Sequence, residues 1–591
     1  MIEQRSLLLF IGCLLTAAAA APSSSFDGTQ CLYENCYCYL YSNNLTNIRC
    51  SAPSTANSTL EFPIELTNPT ALFLNQKLKS NEFRIQILII GSLRLIDNKL
   101  PDHTFRGYSI RTLYLFDNQL SEITSRALHG IRGLEILQLS EPSLDKIESD
   151  SFDDGLVASL VELKLIQTNL TNQKYESFLP ELAKLANIKS LSLNYNELNY
   201  VSDNYFEAFR LLEMLDLSKN GLKFLGQNVF KYNINLRTLI LDDNGIRNLQ
   251  VDLYPALFWP HLNMNLRKLT LRMNRIERID AEFVKLDALN HLDLSANNLR
   301  EINGSYFKFL NNLDTLYLSN NRIEFVDADF GLYLSRVSYV YLHSNHLRRV
   351  PPMRFVNERR LKFIDLSNQM ELSKLDDYAF QRKLDSDDGD DGDEYESDGL
   401  IVNLANNHIK EFTSKSFCTN ESLNVNIKEI TFNYKSIRNM NKCLLRQLAS
   451  RQRVANMNSL MTSSFNRIVL RINADEQFSG AASNNSYSDV CSCSEFNQMA
   501  LKYNIQLTGV CAERSLTLLD CANQLRPDDC FDKFGNEFIC PYEIKLRQRF
   551  EKDEKTRQVG KIVLIAGLIT GGVLLLLAFA VMAPFVARRT K

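Results

Sequence analysis

Residues 313–326 read LDTLYLSNNRIEFV, with apolar residues at 313, 316, 318, 323 and 326 and asparagine at 321. The same frame, L-x-x-L-x-L-x-x-N-x-L-x-x-L, is spelled by residues 212–225 (LEMLDLSKNGLKFL) and 337–350 (VSYVYLHSNHLRRV). Working outward, first framework positions fall at Ile87, Ile110, Leu134, Leu160, Ile188, Leu212, Leu236, Leu266, Leu289, Leu313, Val337, Leu361, Gly399 and Ile427. Most steps are 23 or 24 residues, and the longer ones mark local insertions. The Ile87 unit is degenerate, with Ser92 and Leu95 where leucine and asparagine belong.

A fixed period of this length is the mark of a stacked-repeat architecture. The x-L-x-L piece is a short strand whose alternate residues face the core and the opposite surface. One unit alone cannot bury its leucines, but stacked units share one core and one parallel sheet. The asparagine column can hydrogen-bond backbone groups of neighbouring turns, so the bend after each strand is not left unsatisfied. Trailing phenylalanines, as at Phe152, Phe206, Phe230, Phe307 and Phe380, would fill the core from the convex side. A row of amphipathic helices would show neither the asparagine column nor this period.

Composition sets outer bounds. The chain has 591 residues, 45% hydrophobic and 23% charged, an ordinary balance for folded protein. Sixty-six Lys+Arg against 69 Asp+Glu give a net charge of −3, which excludes a strongly basic nucleic-acid binder.

The two ends point to export. Charged Glu3 and Arg5 precede an apolar run, then Ala17 to Ala21 and Pro22; residues 1–21 read as a secretory signal peptide. Residues 562–586 carry no charge. As a helix they would reach about 37 Å, enough to cross a hydrocarbon core of ~30 Å. Arg588, Arg589 and Lys591 follow. The flank before the span is also basic, including Arg557 and Lys561, so charge alone does not choose the orientation. The signal peptide chooses it: a type I plasma-membrane protein with its bulk outside the cell. A glycolipid-anchor signal is disfavoured by the polar ending. Residues 587–591 leave room for no signalling domain.

Of 13 cysteines, Cys13 falls in the signal peptide and twelve precede the span. They cluster as Cys31, Cys36, Cys38 and Cys50; Cys418 and Cys443; and Cys491, Cys493, Cys511, Cys521, Cys530 and Cys540. Even, clustered cysteines in an exported chain read as disulfides. No histidine stands at zinc-ligand spacing within them. Cys418 and Cys443 lie about one repeat apart, and strands ~4.8 Å apart would bring their Cα atoms within the ~5.5 Å span of a disulfide. Sequons at Asn44, Asn57, Asn169, Asn303, Asn420 and Asn484 fit a glycosylated exterior.

Over residues 60 to 443 and the flanks, the chain resembles the extracellular leucine-rich-repeat proteins with repeats of about 24 residues. The first cysteine group, C-x4-C-x-C-x11-C, looks like the family's N-terminal cap, and Cys491-x-Cys493 with the cysteines downstream looks like its C-terminal cap. The resemblance implies an α/β-type leucine-rich-repeat solenoid, a horseshoe with a parallel sheet on the concave face. It also implies disulfides Cys31–Cys38 and Cys36–Cys50; pairing among the last six cysteines stays open. The chain departs from the family in having six cysteines in the last group and in starting that group well after Cys443. The domain order is a signal at 1–21, a cap at 22–60, about 14 repeats over 61–443, an irregular segment and cap over 444–540, a charged stalk at 541–561, the span at 562–586 and a tail at 587–591.

Residues 385–398 hold nine acids in fourteen positions, between the Leu361 and Gly399 units. A calcium loop starting at Asp387 would place Gly389 at a ligand position, so the insertion reads as a solvated loop. Tyr395, flanked by Asp393, Glu394 and Glu396, suits tyrosine sulfation.

Nothing in the sequence speaks for an enzyme or for a cofactor or metal. The seven histidines form no H-E-x-x-H, and no G-x-S-x-G, Walker or dinucleotide fingerprint is present. Asp216, Asp293 and Asp365 share one concave column on different turns and read as face residues. The expected function is binding of an extracellular or cell-surface protein, as an adhesion receptor or co-receptor. The alternative is a structural organiser of apical extracellular matrix, shed by cleavage in the stalk. Gly567 and Gly571 are spaced to let two spans pack as a homodimer. The expected ligand surface is aromatic. Most units offer small or polar residues on the concave face, whereas three consecutive units offer Tyr317; Tyr339, Tyr341 and His343; and Phe363.

Overall fold

The computed structural model describes residues 84–91, 94–100, 102–257, 259–279, 286–353, 355, 360–376, 379–380 and 399–412. It also describes the strands Cys36–Tyr41, Leu45–Ser51, Thr59–Leu60, Ile427–Asn433, Val469–Asn473 and Gln506–Gly509. The chain divides into two compact units: residues 1–198 with 205–216, and residues 199–204 with 217–591.

In the first unit, Cys36–Tyr41 and Leu45–Ser51 form an antiparallel pair with Cys36 opposite Cys50 in register. Leu45–Ser51 then pairs in parallel with Arg84–Gly91, which continues through Ile110–Phe116, Ile136–Ser140, Glu162–Leu165, Ser190–Ser192 and Met214–Asp216. In the second unit the parallel sheet runs from Thr238–Ile240 through Lys268–Thr270, His291–Asp293, Thr315–Tyr317, Tyr339–Tyr341, Phe363–Asp365 and Leu400–Asn403. It continues into Ile427–Asn433, Val469–Asn473 and Gln506–Gly509, so the sheet extends past residue 443.

These strands form because the framework leucines alternate with polar residues and have a shared core to enter. Leu313, Leu316, Leu318, Ile323 and Val326 are all buried, and so are the matching residues of the neighbouring units. At about 25 cal/mol per Å² of apolar surface removed from water, each fully buried leucine stabilises the stack by roughly 2 kcal/mol. The trailing phenylalanines close the far side. Phe307, Phe330 and Phe355 stand edge to face, with centroids 6.3 and 6.1 Å apart.

Two sequence expectations change. The unit placed at Ile87 begins at Ile85: Ile85 pairs with Ile110, Leu88 with Leu113 and Ile90 with Leu115 in unbroken register. Ile85, Leu88 and Ile90 are buried while Ile87 is half-exposed. The return path also differs from an α/β repeat. In most described units it is a two-residue parallel strand and a turn, as where Glu301–Ile302 pairs with Phe325–Val326 and Arg349–Val350 with Lys374–Leu375. A 24-residue unit leaves too few residues on that side for a full helix. Helices occupy the long steps instead: Asp154–Ser159, Asn172–Leu182, Tyr254–Leu257 and Pro260–Asn265.

The asparagine column is a continuous ladder in the second unit. The carbonyl of Leu318 accepts from the amides of both Asn321 and Asn345, and that of Leu294 from Asn297 and Asn321. Each amide oxygen caps the previous turn, as Asn321 Oδ1 does for Leu299 N–H. Gln369 fills the slot in its row, donating to Leu342 O and accepting from Leu347 N–H.

The residue before the ladder position takes a left-handed backbone in unit after unit: φ is 52° at Lys219, 53° at Asp243, 57° at Met273, 54° at Ala296 and 55° at Asn320. For a side chain other than Asn or Asp this conformation costs roughly 1–2 kcal/mol. Met273 is exposed, so its side chain returns little of that cost. Met273→Asn should therefore raise stability by about 0.5–1 kcal/mol. The fluorescence of Trp259, the single tryptophan of the chain, followed through a denaturant titration would show it. An unchanged or lowered midpoint would refute the assignment of strain.

Candidate ligand-binding face

In the second unit, positions three and five of each frame project from the open face of the sheet, while four and six enter the core. The burial pattern of Tyr339–Tyr341 shows it: both tyrosines are half-exposed and Val340 is buried. Register then fixes the neighbours. Position three carries His291, Thr315, Tyr339 and Phe363; position five carries Asp293, Tyr317, Tyr341 and Asp365.

Three of the five sequence-predicted residues come together. Tyr317 and Tyr341 stack with centroids 4.5 Å apart and planes 3° from parallel. Phe363 closes one end at 5.5 Å and 54° from Tyr341. The other end is closed by His291, 5.1 Å and 52° from Tyr317, a residue the sequence reading passed over. Its signal was present: His291 stands at position three, one unit before Tyr317, and so is a diagonal neighbour across adjacent strands. Tyr339 and His343 share the face outside the stack; His343 Nδ1 lies 3.3 Å from Ser344 Oγ.

Partial burial raises the titration of the Tyr317 and Tyr341 hydroxyls, with Asp293 adding to the shift of Tyr317. The neighbouring tyrosines and then Asp365 add to that of Tyr341. Burial, with Lys268 nearby, lowers that of His291. At neutral pH the stack is therefore four uncharged rings. The acids of the column are held by their surroundings. Asp293 Oδ1 accepts from Ser295 N–H at 2.8 Å. Asp365 Oδ1 accepts from Ser367 N–H, Ser367 Oγ–H and the Asn403 amide. In the first unit Asp216 accepts from Asn194. They are face residues fixed by local hydrogen bonds.

Among the sequons, Asn169 and Asn303 are exposed. Asn303 uses its Oδ1 to cap Ser305 N–H at the start of a 3₁₀ turn, while the Asn169 amide donates to Pro142 O. Asn44, Asn57, Asn420 and Asn484 lie outside the described residues, as do Tyr395, Cys31, Cys418, Cys443 and the six cysteines from Cys491 to Cys540. The segments 1–21, 385–398 and 562–586 lie outside them too. Among the described residues no helix is long and apolar enough to cross a membrane, and no group of three His, Cys, Asp or Glu is placed to hold a metal ion.

The leucine rich repeat family model matches residues 186–246, 264–323 and 311–370. The chain thus carries leucine-rich repeats there, within the stacked parallel sheet already described. No curated protein matches the sequence. Similar solved structures include a complex of TLR13 with ssRNA13, at 22% identity over 60% of this chain and 51% of that one, TM-score 0.43. The chain thus spans about half the length of TLR13. The Drosophila Toll–Spatzle complex aligns at 16% identity over 75% of this chain and 66% of that one, TM-score 0.42. Human 5T4, the trophoblast glycoprotein, aligns at 22% identity over 40% and 80%, TM-score 0.31.

Proposed function

We propose that this chain is a cell-surface protein-binding molecule, an adhesion receptor or co-receptor, whose leucine-rich repeats engage an extracellular protein through the open sheet face. The observation that carries the reading is the ring stack on that face. His291, Tyr317, Tyr341 and Phe363 are all half-exposed, on a face whose other units present mainly small or polar side chains. Cross-strand stacking returns up to ~1 kcal/mol per pair. It does not account for gathering four rings at the surface, where aromatic clusters mark binding hot spots. Sequence features support the setting: the leader at 1–21, the sequons, the even cysteine clusters and the apolar stretch at 562–586 place the repeats outside the plasma membrane.

Changing Tyr317, Tyr341 and Phe363 together to serine tests it. These side chains leave the core leucines untouched, so surface expression should survive. Proximity labelling from the ectodomain on living cells should lose its extracellular partners in the triple variant. The same partner set at the same yield would place the ligand elsewhere.

A further inference from the structure

Position five of four adjacent strands reads Asp293, Tyr317, Tyr341, Asp365: two acids bracketing two stacked tyrosines. Because His291 and Phe363 close the ends of the stack, the outer tyrosine faces are occupied, and a partner meets ring edges and hydroxyls. Each carboxylate acts on the hydroxyl beside it, Asp293 on Tyr317 and Asp365 on Tyr341. The carboxylates are also pre-oriented. Oδ1 of each is bound by its own turn, with Asn403 of the next unit also donating to that of Asp365, and among the described residues Oδ2 of each has no partner. No lysine or arginine occupies positions three, five, seven or eight from the Leu289 unit to the Gly399 unit. Over these five units the face is therefore negative and aromatic, with fixed acceptors; the nearest cations of the sheet face are Lys268 and Arg272 of the adjoining Leu266 unit, Lys268 lying beside His291.

We propose that this row receives a basic segment of the protein partner, with one cationic side chain at each carboxylate–tyrosine pair. This rests on the reading of the open face as the ligand surface and adds the chemistry of what docks there. Arginine fits better than lysine, because its planar fork can span a carboxylate oxygen and an adjacent hydroxyl while lying along a ring edge. Three strand spacings separate the two acids, about 14 Å. An extended chain covers that distance in four residues at ~3.3 Å each. The expected recognition element is thus a pair of arginines four positions apart in an extended segment.

The test uses the full chain displayed on cells and a fluorescent seven-residue probe with arginine at its second and sixth positions, glycine and serine elsewhere, clustered on streptavidin so that avidity makes weak binding measurable. Binding should exceed that of the lysine version and of a probe with adjacent arginines. It should weaken by about tenfold between ~50 and ~300 mM salt, as paired surface charges are screened. Asp293→Asn with Asp365→Asn keeps the turn-capping oxygens and should lower probe binding by about tenfold. Asp293→Lys with Asp365→Lys should abolish it and admit the glutamate version of the probe. Trp259 fluorescence and surface staining report folding of both variants. Equal binding of the arginine and glutamate probes, or no effect of the asparagine pair, overturns the inference. If the serine triple variant loses its native partners while the asparagine pair keeps them, the binding face stands and its basic ligand falls. If both keep them, the face itself is not the site.

Discussion

Replacing Asn321 by alanine is expected to destabilise the second unit by about 3 kcal/mol, read as an earlier Trp259 fluorescence transition in denaturant. The magnitude follows from which groups lose their partners. Asn321 donates to Leu294 O at 2.9 Å and Leu318 O at 3.1 Å and accepts from Leu299 N–H at 3.1 Å. Both carbonyls keep a second amide, from Asn297 and Asn345 respectively. The Leu299 N–H loses the acceptor it has, inside a row of buried leucines. An orphaned buried donor costs roughly 1–3 kcal/mol, and the missing side chain leaves a void beside it. Asn321→Asp should do at least as much harm at neutral pH, since a carboxylate still accepts from Leu299 but faces two carbonyl oxygens with no proton to offer. Asn321→Gln should be mild, because Gln369 already performs both roles one residue type longer. If the alanine and glutamine variants unfold together, the ladder does not hold the turns.

The repeat frame was legible because period 24 with a fixed asparagine has one economical explanation, a stack that shares its core. What the sequence hid has physical reasons. The run RIQILIIG at 84–91 has too many isoleucines for the inward set to stand out, so the apparent frame falls two residues late. The phenylalanine spine of the return path is legible in the sequence, whereas its two-residue strands are not, because the apolar residues there suit such a strand and a helix equally well. The left-handed residues at Lys219, Met273 and Ala296 were invisible because nothing in those residue types asks for positive φ. The binding face was half legible: Tyr317, Tyr341 and Phe363 are large residues in a polar column, whereas His291 joins only diagonally, which needs the register between strands. The bracketing acids looked like ordinary face residues until the strands were laid side by side.

The Leu134 rung of the first unit departs from the asparagine rule and predicts a pH dependence. In the Leu134 unit the ladder position is Pro142, which has neither an amide side chain nor an N–H. Glu141, one residue earlier and fully buried, takes over the acceptor role. Its Oε2 accepts from Asn118 N–H at 2.8 Å and Leu120 N–H at 3.3 Å, as Asn196 Oδ1 does for Thr168 and Leu170. Its Oε1 accepts from the Asn118 amide at 2.7 Å. Burial outweighs these three donors and pushes the carboxyl up to about 7 from the ordinary 4.5, with Asp117 adding to the rise. The folded state then holds a proton that the unfolded chain releases. Stability from this group is fully present below pH 4.5, falls as pH rises from 4.5 to about 7, and is flat above. At about 1.4 kcal/mol per pH unit the loss across that window is about 3 kcal/mol. Protection of the Asn118 and Leu120 amides against hydrogen exchange, corrected for the intrinsic rate, should therefore be higher at pH 4.5 than at pH 7.5. Glu141→Gln should remove that difference, because an amide cannot ionise, while groups titrating elsewhere act alike on both proteins. Parallel protection profiles for the two proteins across this window would mean that Glu141 is ionised in the fold at neutral pH and that its three donors, rather than its burial, decide its charge.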